Sequence, residues 1–405
     1  MNQKKSWHYT SQTLTLLLIM FIDGVGMSLI IPLSGDLFAP GISSLLSDNA
    51  PNWLNQFYYS ANLAAFSMVM IFGASILGQL SDKYGRKRVL YLSLLGALVG
   101  YLICTIAVIS KAPALFILGR IIDGLSAGSI PVAQAILTDI DSKSNQMTGI
   151  GQVMFAVTSG YMFGPVIAES AYLGNNPNHA LPFLVIALSC LGCIGLLRLI
   201  EETKSPQSNL QKLKIFSAFT SVLALFKLQA LRGALLSFFL FQCAWTLFYQ
   251  YLPKLQSGNS TMLMAAIGAA MCFGFCFIVP KLKIAPVKLI TLCFTLFAVF
   301  NFSFLTPTLD FNFFSLVAVS MALLYAVGYS AMLGFILSIS SDGEKGLILG
   351  SIASICAISA TLTALLGGYL NALSNFAFFS VLLLMSLTAL LMFFNTSRTQ
   401  SLKAA

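Results

Sequence analysis

The chain has 405 residues, 58% hydrophobic and only 9% charged, with a formal net charge of +9. A soluble protein of this length needs far more charge to cover its surface, so the composition excludes a soluble globular enzyme or binding module. The surplus cations sit in short segments between apolar runs, which excludes nucleic acid as a partner and reads as membrane topology.

Apolar runs near or above about 18 residues predict twelve membrane-spanning helices. A polar tail, 1–13, precedes a first span over 14–36. That span contains Asp23 and lacks a small-residue cleavage site behind it, so it reads as a retained helix and not a signal peptide. Spans two to six follow at 57–80, 89–110, 113–139, 149–173 and 180–200, closing an N-terminal bundle over 14–200. The longest polar connection, "EETKSPQSNLQKLK" (201–214), runs into a basic amphipathic stretch; together they form a linker, 201–230, along the inner membrane surface. Spans seven to twelve, at 231–252, 260–280, 287–305, 313–340, 347–371 and 374–395, make a C-terminal bundle over 231–395 before a tail at 396–405.

With both termini cytoplasmic, nearly all of the 22 Lys and Arg lie inside; Lys111 and Lys254 fall outside and Arg120 within a span. The opposite orientation reverses that ratio. The two bundles also share a weak repeat. The fifth span carries Gly151, Gly160, Gly164 and Pro165, and the eleventh, 199 positions on, carries Gly350, Ser359, Thr363 and Ala364. The eight cysteines all fall inside predicted spans, where they read as small packing residues.

The one densely charged stretch is "GQLSDKYGRKRVL" (78–90), between spans two and three. Gly85 can take the positive dihedral of a tight turn, Asp82 can pair at a helix end, and Arg86 can bridge carboxylates. Any cytoplasmic loop collects cations, which accounts for Lys87 and Arg88 but not for the ordered string that starts at Gly78. That string resembles the loop 2–3 signature of the major facilitator superfamily. The resemblance implies an all-α membrane protein with twelve transmembrane helices in two pseudo-symmetric six-helix bundles. It also implies a latch, in which Asp82 meets the start of span eleven near Gly346 and Arg86 meets an acid ending span four, here Asp139. The matching loop of the second half, "PKLKIAPVK" (280–288), lacks the Asp and Gly, so the latch is expected to be one-sided.

Three further stretches resemble the twelve-span drug:proton antiporters within that family. They are "DGVGMSLIIP" (23–32), "LGRIIDGLSAG" (118–128) and "GQVMFAVTSGYMFGP" (151–165). The last has the antiporter spacing of Gly151, Gly160, Gly164 and Pro165, although Ala168 and Glu169 replace the glycine pair that usually ends it. The resemblance is strong over 14–200 and rests mainly on span count over 231–395. It implies a monomer in a bacterial-type inner membrane, driven by the proton gradient, with no cofactor and no metal.

Ionisable groups inside a bilayer are functional candidates, because each is costly to bury. Asp23, Arg120, Asp123 and Glu169 meet that description. Asp23 has no local counter-ion and is the candidate proton carrier; the alternative is a structural aspartate bonded to nearby hydroxyls or amides. Arg120 and Asp123, three apart, either neutralise each other or leave Arg120 to tune Asp23. Glu169, near the outer end, reads as a second proton site or an attractor of cations, and Asp36 as solvated. His8 and His179, in a tail and a loop, do not read as proton relays.

Phe238, Gln242, Trp245 and Tyr249 share one face of span seven, and an amide in that stripe is costly against lipid. The face is therefore expected to turn towards a substrate cavity, joined by Tyr325 and Tyr329 of span ten. The functional expectation is proton-coupled export of a small organic compound, either drug-like or an endogenous metabolite such as a siderophore. Two rivals are uptake by proton symport and a transporter-like sensor that moves nothing. Tetracycline exporters carry membrane acids in spans three and nine; residues 89–110 and 287–305 hold none, which argues against a metal–tetracycline cargo. No nucleotide loop, metal cluster or nucleophile–base pair points to an enzyme.

Overall fold

The structure, a computed structural model, describes residues 2–38, 45–47, 49–140, 146–173, 177–203, 216–255, 260–282, 284–306, 310–340 and 345–404. Among these the chain is helical between its loops and contains no strand. Among the described residues eleven helices are long and apolar enough to cross a membrane. Gln146–Ala168 stands in the place expected for the fifth span. The chain divides into two compact units, Met1–Ile215 and Phe216–Ala405, and the division falls inside the expected linker.

The first unit contains α1 (Asn2–Leu37), α2 (Asn52–Tyr84), α3 (Arg86–Ile109), α4 (Pro113–Ser126), α5 (Ser129–Ile140), α6 (Gln146–Ala168) and α7 (Leu181–Leu196). α1 begins within the expected polar tail, because nothing from Asn2 to Thr13 is a Gly or Pro that would stop a helix. Its principal neighbour is α6; α3 lies against α4 and α7, and α2 against α4. The crossing of α1 and α6 is very close. A Cβ on Gly160 would lie 2.7 Å from the Val25 nitrogen and 2.8 Å from the Gly24 carbon, so only hydrogen fits there.

The fourth span, expected as one helix over 113–139, is broken. α4 ends at Ser126, Ala127 adopts φ −73° and ψ 50°, and the Gly128 amide donates to the Ser126 carbonyl at 2.7 Å. That is an inverse γ-turn. Pro131 explains it: proline has no N–H to give the Ala127 carbonyl, and its ring crowds that carbonyl. The chain then resumes as α5 from Ser129.

The second unit contains α8 (Ser217–Lys227), α9 (Gln229–Leu255), α10 (Ser260–Phe273), α11 (Pro286–Ser303), α12 (Phe311–Ser338), α13 (Lys345–Leu373) and α14 (Asn375–Ala404). α8 lies against α9 and α13. Span eight continues α10 through a π-helical turn, Gly274–Ile278, and a short 3-10 turn, Val279–Lys281. α14 runs past the expected span into the polar tail.

Within each unit the same neighbours recur. Span five lies on span one and span eleven (α13) on span seven (α9); spans three and four pair as do nine and ten; spans three and six pair as do nine and twelve. Advancing each N-terminal span by six therefore yields its C-terminal counterpart, as the repeat in spans five and eleven leads one to expect. The repeat extends to chemistry. Thr363, the counterpart of Gly164, donates to Gln250 of α9 at 3.2 Å, and Gly367, the counterpart of Ala168, lies against the Tyr251 ring.

Candidate functional site

The interior of the first unit holds a group of ionisable side chains drawn from α1, α3 and α4, joined by a serine of α5. Arg120 and Asp123 sit three apart on α4, which puts them on one face, and Nη1 meets Oδ2 at 2.5 Å. Both are buried, at 2% and 6% exposure. The guanidinium also lies over Phe66 of α2, 4.4 Å from the ring centroid, a contact suited to a poorly hydrated cation. The Tyr101 hydroxyl bonds the Asp123 carboxylate from α3. It reaches that point because Gly100 and Gly119 let α3 and α4 approach, and because Gly26 of α1 leaves room for the hydroxyl itself.

Asp23 stands on α1 near this pair, half-buried, and its partner is the Ser129 hydroxyl at the first residue of α5. Of the two sequence readings for Arg120, the mutual pair with Asp123 is the arrangement observed. Two carboxyls and one guanidinium leave one surplus negative charge in the interior of the bundle, and a single proton removes it.

Glu169 lies apart from this group. It opens the short 3-10 turn Glu169–Tyr172 at the C-terminal end of span five. There Tyr172 donates to Asp36 at 2.5 Å and its ring meets His179 edge-on at 5.7 Å. Asp36, expected to be solvated, is thus half-buried and bonded. Burial lowers the His179 pKa from its ordinary 6.5, with Asp36 opposing the shift.

At the other end of the unit, Gly85 takes φ +101° and turns the chain from α2 into α3. The first amides of α3 then point at a carboxylate: Arg86 N donates to Glu202 Oε1 at 2.6 Å and Lys87 N to Oε2 at 3.2 Å. Asp139 and Gly346, the expected latch partners, lie outside the residues whose side chains are described, as does Gly151. Gly78 faces open space. Lys83 lies over the Tyr84 ring at 4.9 Å. Glu202 is a residue the sequence reading missed; the signal was an acidic pair, Glu201 and Glu202, directly after span six.

In the second unit the five aromatic candidates form one connected cluster, joined through Tyr325 and Tyr329, whose rings lie 5.8 Å apart. Trp245 stacks on Tyr325 at 4.5 Å and on Tyr249 at 5.8 Å, while Phe238 meets Tyr329 at 5.5 Å. Gln242 donates its amide nitrogen to Cys356 of α13 at 3.1 Å. Its Oε1 is buried with no hydrogen-bond partner among the described residues. Thr246 and Gln250 continue the same face, meeting Thr363 at 3.0 Å and the Ala360 carbonyl at 3.1 Å. Part of the polar stripe of span seven is therefore a seam against span eleven. Among the described residues no cluster of His, Cys, Asp and Glu is arranged to hold a metal, and the cysteines are free thiols.

Two repeated bundles of membrane-spanning helices, one with a charged interior and the other with an aromatic one, define a polytopic membrane protein of the transporter class. The chain belongs to the Major Facilitator Superfamily, whose profile matches residues 16–283. That makes it a transporter-family protein and not an enzyme. A tetracycline resistance protein of class G from Vibrio anguillarum is 31% identical over 180 residues, 44% of this chain and 42% of the relative. The match thus spans about two fifths of the length of that curated relative. Two solved structures share the fold: the human organic anion transporter MFSD10 (TETRAN), at TM-score 0.71, 18% identity and 95% and 99% coverage of the two chains; and a D-xylose-proton symporter, at 0.73, 15%, 94% and 97%.

Proposed function

We propose that this chain is a secondary active transporter that exports a small organic compound in exchange for protons. The observation that carries the reading is the surplus carboxyl of the first unit. Asp23 is half-buried beside an already neutralised Arg120–Asp123 pair, so its charge is the one that a proton or a cationic substrate would cancel. Export is favoured over uptake by the glycine face of α6, seated on α1, and by the resistance proteins among its relatives. The aromatic and amide cluster around Trp245 and Gln242 is the candidate substrate wall. The 78–90 loop is the candidate gate, with Glu202 holding the start of α3. The energy source is the proton gradient, with no cofactor. The charge distribution favours a plasma membrane with both termini cytoplasmic, and the protein is taken to act as a monomer.

The test is substrate-induced proton release from purified protein in detergent, with a panel of planar aromatic dyes and tetracycline as probes. Release of protons by the wild type that is lost in Asp23→Asn is the expected result. A wild type that transports a dye in vesicles without any dependence on the pH gradient overturns the coupling.

A further inference from the structure

The break in span four lies at the residue that binds Asp23, and neither feature is accounted for by the proton-exchange reading alone. α5 begins at Ser129, and the Ser129 hydroxyl donates to Asp23 Oδ2 from the N-terminal end of that half-helix. The first amides of a helix carry partial positive charge, so the end of α5 is matched to a carboxylate. Half-helix ends serve anions in the same way in other discontinuous membrane helices. The connection to α4 is slight: an inverse γ-turn at Ala127, with Pro131 unable to rebuild the bond across it. α4 is anchored elsewhere. The Ser126 carbonyl accepts the Ser93 hydroxyl of α3, and Gly124 lies directly on the Phe66 backbone of α2.

We infer that α5 is a separately moving arm of span four, hinged at Ala127–Gly128 and tied through Ser129 to Asp23 most strongly while that carboxyl is ionised. The inference rests on Asp23 being the proton carrier. A hydrogen bond to a carboxylate is about twice as strong as one to a neutral acceptor, and the attraction of a helix end needs the charge. A proton on Asp23 therefore weakens both ties at once, while the anchors of α4 are indifferent to it. Ser129 is a positioning residue. It carries the state of one side chain on α1 into the half of span four that ends at Ile140.

The other titratable or charged groups around Asp23 are Asp123 and Arg120 on α4, Tyr101 on α3, and Cys190 and Cys193 on α7. α6 contributes Tyr161, whose hydroxyl is turned to Met27. Arg120 is held by Asp123, and the rest are neutral hydroxyls and thiols. α5 also packs against α1, α2, α3 and α6 through buried apolar side chains such as Val132 and Ile136, contacts that carry no charge.

Hydrogen–deuterium exchange of the full-length chain in detergent tests this, at one pH, on the wild type, Asp23→Asn, Ser129→Ala and Ser129→Thr. Asp23→Asn stands for the neutral carboxyl. Amides of 129–137 are expected to exchange severalfold faster in Asp23→Asn and Ser129→Ala, while 113–125 stay as in the wild type and Ser129→Thr restores protection. Equal exchange over 129–137 in the wild type and Asp23→Asn overturns the inference. So does a uniform rise across both halves of span four, because it means that they open as one piece. The outcomes separate from those of the functional reading. If Asp23→Asn abolishes proton release but leaves α5 unaltered, the arm alone is wrong; if proton release survives, the carrier assignment fails whatever α5 does.

Discussion

The Glu202 carboxylate accepts the backbone amides of Arg86 and Lys87, so the end of the sixth span caps the start of the third. The acidic partner of the loop backbone is thus set by chain positions more than a hundred residues apart. An aspartate or glutamate at a helix N-terminus satisfies amides that have no partner within the helix. Glu202→Ala should lower stability by about 1 kcal/mol, the usual worth of such a cap. Gly85→Ala should cost more. Its φ of +101° is unfavourable for any side chain, and the new Cβ would lie 2.5 Å from Glu202 Oε2. The two effects share one carboxylate, so the double variant should lose less than the sum of the singles. Thermal denaturation in detergent measures all three.

The α1–α6 crossing offers a sharper contrast. Gly160→Val must push α6 away from the Gly24 and Val25 backbone, a cost of about 1–3 kcal/mol or more. Gly195, on the sixth span, has nothing within 4 Å of its added Cβ. Gly195→Ala should therefore fall within about 0.5 kcal/mol of the wild type. Comparable losses at both positions would mean that helix propensity, and not close approach, governs them.

How much of this was legible in the sequence depends on whether the signal was charge or contact. Spans and orientation could be read because a bilayer requires long apolar runs and sorts cations to one side. Asp23, Arg120 and Asp123 could be read because charge is conspicuous in hydrocarbon. Ser129 and Tyr101 could not, since one hydroxyl among many carries no mark of its partner. Their one local clue was Pro131, three residues after Gly128, which announces the interruption of span four. Glu202 was hidden among loop charges, and only the fold brings it under α3. Gln242 was read as facing a cavity because an amide dislikes lipid; a neighbouring helix meets that need equally well, and half of the amide is in fact turned to Cys356.

Gln242 and Gln250 should therefore behave differently. Gln250 uses both ends of its amide, giving to the Ala360 carbonyl and receiving from Thr363. Gln250→Met should cost about 1 kcal/mol, the order seen for hydrogen bonds between membrane helices. Gln242 leaves a buried Oε1 without a partner among the described residues, so Gln242→Met should be neutral or slightly stabilising. If that oxygen serves the substrate, the same change raises KM for an aromatic dye while thermal stability holds. Unchanged KM across the dye panel removes Gln242 from the substrate wall.

The cluster around His179 predicts a pH dependence that does not involve transport. His179 is buried against Tyr172, its Nε2 has no hydrogen-bond partner among the described residues, and burial lowers its pKa below 6.5. Tyr172, which donates its hydroxyl to Asp36, is the ring against which the imidazole packs. As pH falls through about 6.5, the unfolded chain takes up a proton at this histidine while the folded chain does not, so folding loses stability. The loss continues down to the folded pKa and then levels off; above 6.5 both states are neutral and the contribution is absent. Asp36 tempers the effect by favouring the charged imidazole. The thermal midpoint of the wild type should thus drop between pH 7.5 and pH 5.5 by more than that of His179→Gln, in which nothing at this position titrates. Parallel slopes for the two proteins would mean that His179 gains its proton as easily folded as unfolded, and that other groups set the acid sensitivity.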